Sequence, residues 1–169
     1  MSLMKDRDIP ISSAVRALRN AGIPIIPHFY DYIEHGGTKH AAESLGLDEH
    51  AIVKTLIMEI HGTRKTFAIV LMHGDREVST RELGRILGVK KVLPASAADV
   101  EKSTGFMPGG VSPFGTRTSL PVYAEESIFR LERIFINGGK RGFLVEINPL
   151  DLARVLKAVP VMVAVERRG

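Results

Sequence analysis

The sequence predicts a mixed α+β fold, a sheet or barrel and not a doubly wound arrangement. Three observations carry this. Two strand-type apolar runs, Ala51 to Ile60 and Thr66 to Met72, flank His61-Gly62-Thr63-Arg64-Lys65 and read as a β-hairpin. Capped helical segments are short and scattered along the chain. Strands and helices do not alternate strictly, as a doubly wound parallel sheet requires.

In chain order, Ser12 and Ser13 precede Ala14-Val15-Arg16-Ala17-Leu18, and Gly22 closes the segment, which is the pattern of a capped helix. Pro24 and Pro27 then enforce extended backbone, so Ile25 to Tyr30 is read as a strand. Thr38 is expected to cap a helix over Lys39 to Leu45, stopped by Gly46. After the hairpin, Ser79-x-x-Glu82 is a capping box opening a helix to Leu87, ended by Gly88. Lys90 to Leu93 reads as a short strand and Ser96 to Lys102 as a short helix. Residues 103–119 are rich in Gly, Pro, Ser and Thr and form a long loop, a class often tied to function. Leu120 to Tyr123 and Arg133 to Asn137 read as strands around a helical turn at Glu125 to Phe129. Gly142 to Ile147 is a further strand, Pro149 opens a helix over Leu150 to Lys157, and Pro160 to Val165 is the last strand.

The 169 residues match about one domain on a scale of roughly 100–200 residues each, and 1–169 is expected to form one. Met1-Ser2-Leu3, ahead of a second methionine, resembles an expression scar. A 44% hydrophobic content supports a real core. The absence of cysteine excludes disulfide staples, thiolate-bound zinc and a cysteine nucleophile in this chain. No apolar run approaches the roughly 20 residues of a membrane span, and the polar start lacks a signal-peptide core, so the cytoplasm is the expected location. The net charge of +4 conceals an asymmetry. Residues 1–75 carry 8 basic and 9 acidic side chains, whereas 76–169 carry 15 and 10, so an anionic partner is expected on surface built by the second half.

Lys54 is the most telling residue. It interrupts the apolar run Ile52-Val53-Lys54-Thr55-Leu56-Ile57-Met58, and alternation places it on the face of Ile52, Leu56 and Met58. A lysine there is either a site cation aimed at a carbonyl or phosphate, or one snorkelling at a strand end. The segment Ser103-Thr104-Gly105-Phe106-Met107-Pro108-Gly109-Gly110-Val111-Ser112-Pro113-Phe114-Gly115 pairs glycines that let backbone N–H groups approach an oxyanion or phosphate; the alternative is an ordinary turn-rich connection. Ser112 does not sit in a G-x-S-x-G elbow, because Phe114 replaces the final glycine. Gly138-Gly139-Lys140-Arg141-Gly142 suits a phosphate backbone or a simple hairpin turn, but it is not a Walker A loop, because Ile134 and Arg141 occupy positions that motif reserves for Gly and Ser/Thr. The six histidines lack zinc-ligand spacing, so neither a metal nor a cofactor is expected.

Taken in order, Leu45-Gly46-Leu47, Val53-Lys54-Thr55-Leu56, Ser103-Thr104-Gly105-Phe106, Gly109 to Gly115 and Gly138 to Gly142 resemble the YbaK/EbsC family of aminoacyl-tRNA deacylases, related to the editing domain of bacterial prolyl-tRNA synthetases. The resemblance spans residues 12–166. It implies a mostly antiparallel, barrel-like sheet with helices packed outside. It also implies hydrolysis of the ester joining a wrong amino acid to tRNA. By position, Lys54 matches the lysine taken to orient the terminal adenosine or its phosphate, Gly109 to Pro113 matches the loop at the aminoacyl carbonyl, and Tyr30 matches a pocket tyrosine of some members. Two positions depart: Asn137 stands where some members have Ser, and Leu144 where they have Asp, which leaves Glu146 as the nearby acid.

The resulting expectation is a freestanding editor of mischarged tRNA, Cys-tRNA(Pro) first, with Ala-tRNA(Pro) or a non-catalytic tRNA- or synthetase-binding module as alternatives. Lys54, Gly109 and Gly110 carry the reaction. Tyr30, Ser112, Pro113, Gly115, Asn137, Gly138, Gly139, Lys140 and Arg141 bind the substrate. The attacking group is water or part of the substrate, and the expected partners are the aminoacylated 3′ end of tRNA and prolyl-tRNA synthetase.

Overall fold

The structure, a computed structural model, describes residues 8–168, so the expected scar at residues 1–3 lies outside the described residues. The strands are β1 (Ile26–Phe29), β2 (Ile52–His61), β3 (Lys65–His73), β4 (Arg76–Val78), β5 (Lys91–Pro94), β6 (Val122–Glu125), β7 (Ile134–Asn137), β8 (Phe143–Ile147), β9 (Val159–Val161) and β10 (Ala164–Glu166). The helices are α1 (Ser13–Asn20), α2 (Gly37–Leu45), α3 (Thr80–Leu87), α4 (Ala97–Thr104) and α5 (Leu150–Leu156). The main sheet runs β1-β8-β7-β2-β3-β6-β9, with β5 also on β2; β10 and β4 form a separate ribbon. Pairings β1–β8, β7–β8, β2–β3, β2–β5 and β4–β10 are antiparallel, and β2–β7, β3–β6 and β6–β9 are parallel. The fold is thus mixed α+β and mostly antiparallel.

Alternation along β2 assigns its two faces to different layers. Val53 and Ile57 join the main core with Ile69 and Leu71 of β3, Leu18 of α1, Phe143 of β8 and the loop residues Phe106 and Phe114. The opposite face divides. Ile52 packs with Ala41 and Ala42 of α2 and with Leu144. Met58 and Ile60 pack with Leu83 of α3 and Val92 of β5. Lys54 falls between these two clusters, where neither helix covers the sheet.

The edge of β2 is broken at the same place. β7 pairs with Ile52 and Val53, and β5 pairs with Met58 through His61. Between them the strand has no partner on that side, apart from Ala95 N–H donating to Ile57 O at 2.9 Å. Because backbone groups alternate along a strand, Thr55 turns its N–H and C=O to the same open side as Ile57.

Three expectations need correction. Thr38 does not cap α2; the N-cap is Gly36, with no side-chain bond. The Thr38 hydroxyl instead lies 3.0 Å from Glu49 Oε2 and 3.1 Å from Gly74 O, where tertiary acceptors outcompete a local cap. The strand expected over Pro160 to Val165 is two strands in two sheets, because the buried Glu125 carboxylate accepts Val163 N–H (2.7 Å) and Ala164 N–H (2.9 Å) and turns the chain. The short β4, Arg76–Val78, was not anticipated and exists to pair with β10. Elsewhere the caps at Ser12 and Ser79 work as the sequence implies, accepting the N–H of Val15 and Glu82, and Ser96, expected as the first residue of a helix, caps α4 by accepting Asp99 N–H.

Beneath the Gly74 turn, the rings of His50 and His73 stack at 3.7 Å. His73 Nδ1 faces His50 O at 2.7 Å, so it must donate, and the neutral ring then accepts at Nε2 from Ser127 Oγ at 2.6 Å. Burial holds the His73 pKa below its ordinary value, with a neighbouring His50 charge adding to the effect against the His50 carbonyl and the acids Asp75 and Glu125. The unfolded chain therefore binds the extra proton in the window below the ordinary histidine value, and stability rises with pH through that window. The melting temperature is expected to fall on acidification from about pH 7 to about pH 5, with a shallower fall in His73→Gln, as followed by calorimetry across pH. A second expectation concerns Gly115, which has φ +67° and whose added Cβ would strike Ser13 O at the start of α1. Gly115→Ala should lose at least about 1 kcal/mol in chemical denaturation.

Candidate functional site

The uncovered stretch of β2 opens into a cleft of ≈ 540 Å³, with a second of ≈ 390 Å³ beside it. Both are lined by Lys54, Thr55, Pro108, Gly109 and Val111, so these residues stand where the two spaces meet. The larger space is walled by α2 and the segment before it, and by Tyr30, Asn137, Arg141, Leu144 and Arg167. The smaller is mostly apolar, with Leu56, Met58, Val78, Ala95 and Val100, and contains Glu77.

Lys54 Nζ reaches Gly74 O at 3.4 Å. Burial lowers its pKa, as does the Arg167 charge, and the carboxylates of Glu77, Glu49 and Asp75 oppose the shift. Lys54 is thus a partly desolvated cation held by a weak carbonyl contact. Beside it the Thr55 hydroxyl is buried without a hydrogen-bond partner among the described residues. Thr55 thereby brings open-edge backbone to the junction, while its hydroxyl stays buried. Its sequence signal is its place in Val53-Lys54-Thr55-Leu56; that its edge is open depends on which neighbouring strands stop short.

The two glycine-rich segments meet across the cleft wall. Asn137 Nδ2 donates to Gly109 O (3.3 Å) and Lys140 O (3.1 Å), while its Oδ1 accepts Gly139 N–H at 2.6 Å. Arg141 Nε donates to Pro108 O at 2.9 Å, and its guanidinium lies 4.8 Å from the centre of the Tyr32 ring. Gly110 is where the backbones touch: an added Cβ would come within 2.9 Å of Arg141 N. Gly109 has φ +87°, a conformation that only glycine adopts readily, and an added Cβ would sit 2.7 Å from the Tyr32 hydroxyl.

Of the residues singled out from sequence, Tyr30, Lys54, Gly109, Asn137 and Arg141 line the larger cleft. Tyr30 is half-buried, and its phenol pKa is raised by burial and by neighbouring Tyr32. The other residues occupy supporting positions. Gly110 gives its N–H to Met107 O at 2.9 Å, so that amide does not fit the expected donor role; of the loop residues that line the cleft, Gly109 and Val111 have amides without such a bond among the described residues. Ser112 is fully buried and accepts Phe114 N–H at 3.2 Å, and Pro113 is buried beside it. Gly115 lies against α1, while Gly138 packs on Phe143 and its carbonyl accepts the Ser12 hydroxyl at 2.6 Å. Gly139 abuts Phe106 and Ser12, and Lys140 is exposed outside the cleft lining. Glu146 does not serve the site: it pairs with His28 at 2.9 Å and Arg133 at 3.2 Å, leaving buried Leu144 as an apolar patch of the cleft wall. Among the described residues no group of three or more His, Asp or Glu could hold a metal ion, and no helix is long and apolar enough to cross a membrane.

Comparison with known proteins bears on the family and the fold. The family model for the aminoacyl-tRNA editing domain matches residues 36–155. EbsC of Enterococcus faecalis, described as a candidate Cys-tRNA(Pro)/Cys-tRNA(Cys) deacylase, is 30% identical over 139 residues, covering 82% of this chain and 84% of that protein. The proline–tRNA ligase of Caldicellulosiruptor bescii is 34% identical over 113 residues, which are 67% of this chain but 19% of the ligase. In fold, the chain is similar to the crystal structure of a candidate trans-editing enzyme for prolyl-tRNA synthetase (TM-score 0.77, 24% identity, 94% of this chain and 100% of that one). It is likewise similar to that of the hypothetical protein APE2540 (TM-score 0.80, 23% identity, 91% and 100%). On the family model and the relative matched over most of both chains, this protein belongs to the aminoacyl-tRNA editing domain family.

Proposed function

We propose that the protein is a trans-acting deacylase that hydrolyses the ester of mischarged tRNA, Cys-tRNA(Pro) foremost. The observation that carries this reading is the meeting of Lys54, the open Thr55 edge and the Gly109 loop where two clefts join. The larger cleft takes the terminal nucleoside, with Lys54 as its anchor and Tyr30 on its wall. The smaller, apolar cleft takes the aminoacyl side chain. Partners are the aminoacylated 3′ end of tRNA and, through the reaction it corrects, prolyl-tRNA synthetase.

Ester hydrolysis needs an attacking oxygen or sulfur, donors for the developing oxyanion and a fixed substrate. The Gly109 and Val111 amides are the donors closest to hand, displacing the role first given to Gly110. With no activated serine or cysteine in the cleft, the attack falls to water, oriented by the ribose 2′-hydroxyl, or, for a cysteinyl ester, to the substrate's own thiol. The carbonyl carbon gains that bond, the bond to the ribose oxygen breaks, and the ribose oxygen takes a proton. A thiol attack releases a thiolactone, which water then opens.

Lys54→Ala should lower single-turnover deacylation of Cys-tRNA(Pro) by about 10- to 100-fold, the loss of one charge-assisted contact; unchanged rates would remove Lys54 from the reaction. Because burial depresses its pKa, Lys54 is a destabilised cation, so Lys54→Met should melt no lower than wild type while losing activity. A deacylation panel of Cys, Ala, Ser and Pro esters should show Cys fastest. The preference over Ala should stay within about one or two orders of magnitude, since an apolar pocket discriminates small side chains weakly.

A further inference from the structure

Arg167 lies outside the segment matched by the family model, yet it lines the larger cleft with Lys54. The fold delivers it there. Buried Glu125 catches Val163 and Ala164, Ser79 N–H donates to Val163 O at 2.8 Å, and β10 then runs antiparallel to β4, with Glu166 opposite Arg76. The next residue, Arg167, sets its guanidinium against Glu49 through two bonds, at 2.6 and 2.9 Å. Glu49 is itself held by Thr38, whose hydroxyl also lies against Gly74 O, the carbonyl that Lys54 reaches. A continuous polar chain therefore joins the two cations.

This arrangement orients Arg167 without exhausting it. Glu49 takes one N–H from each terminal nitrogen, so the guanidinium keeps further donors, and its side chain remains 39% exposed. Lys54 feels Arg167 as a like charge, which means that two cations converge on one space. The carboxylates of Glu49, Glu77 and Asp75 offset that repulsion, and the guanidinium donors that Glu49 leaves free are open to an oxyanion entering the cleft. Arg167 borders the larger cleft and not the smaller one, which is the proposed acyl pocket.

We propose that Arg167 is a positioning residue that, together with Lys54, brackets the 5′-phosphate of the terminal nucleoside of the aminoacylated RNA. The inference rests on the deacylase reading for the identity of its ligand, but its test does not need turnover. The probes are two non-hydrolysable amide-linked alanyl-adenosines, one with and one without a 5′-phosphate, titrated at low salt into wild type, Arg167→Ala, Arg167→Gln and Arg167→Lys. Gln retains a hydrogen bond to Glu49 without the charge and so separates phosphate binding from anchoring of β10. Wild type should bind the phosphorylated probe about tenfold more tightly than the other, as a charge-assisted contact gives. Arg167→Ala and Arg167→Gln should lose most of that increment with unchanged affinity for the phosphate-free probe, and Arg167→Lys should regain part of it. The proposal is overturned if wild type shows no increment, if both uncharged variants keep it, or if Arg167→Gln weakens both probes equally. A full phosphate increment lost on Arg167 substitution, in a protein that leaves every aminoacyl ester intact, would support the role of Arg167 while overturning the deacylase reading.

Discussion

The site depends on one constraint, a lysine built into the mostly apolar first half of β2, between Ile52 and Met58. A charged amine cannot be sealed beneath a helix without a large desolvation cost. The layers above the sheet respond accordingly. α2 covers Ile52 and Leu144, α3 covers Met58 and Ile60, and neither covers Lys54 between them. The side strands obey the same division, with β7 ending its pairing at Val53 and β5 beginning at Met58. The cleft is therefore a region that the core leaves unfilled, and its polar lining comes from groups that the sheet did not use. Thr55 illustrates this: its backbone faces an edge that neither β5 nor β7 pairs.

The glycine-rich segments divide the labour differently from what their composition implies. Only Gly109 faces the cleft. Gly110, Gly115, Gly138 and Gly139 permit close packing, against Arg141 backbone, Ser13, Phe143 and Phe106 respectively. Ser12 ties this packing together, because one hydroxyl caps α1 by accepting Val15 N–H and donates to Gly138 O. Asn137 and Arg141 then staple the second segment to Gly109 and Pro108. Backbone donors at Gly109 and Val111 are useful in catalysis only if they hold still before the substrate arrives, and these cross-links supply that rigidity.

Local signals were legible wherever local physics decided the outcome. The hairpin of β2 and β3 follows from alternation, the serine caps at Ser12 and Ser79 hold where they were placed, and Lys54 stands out as a cation among aliphatics. The sequence was silent where a distant group decides. Thr38 looks like a cap until Glu49 and Gly74 come within its reach. Residues 160–165 look like one strand until Glu125 turns them at Val163. Glu146 looked available to the site, but β1 and β7 bring His28 and Arg133 to it. Arg167 carried no signal, being one of two adjacent terminal arginines, and only the β4–β10 ribbon gives it a place.

The modest net charge of +4 acquires meaning from how the cleft cations are partnered. Lys54 leans on Gly74 O, Arg141 on Pro108 O and Arg167 on Glu49. A phosphate entering this cleft does not meet bare charges; it exchanges protein acceptors for its own oxygens, so the net gain per contact is smaller than the gross attraction. Weak net gain suits a protein whose product is a corrected tRNA differing from the substrate only by one ester. Contacts to the nucleotide are the same before and after hydrolysis, and strong ones would retain the product as firmly as the substrate. On the proposed reading, discrimination then has to reside in the acyl pocket and the carbonyl donors, where the cleaved group is lost, while the cations supply orientation.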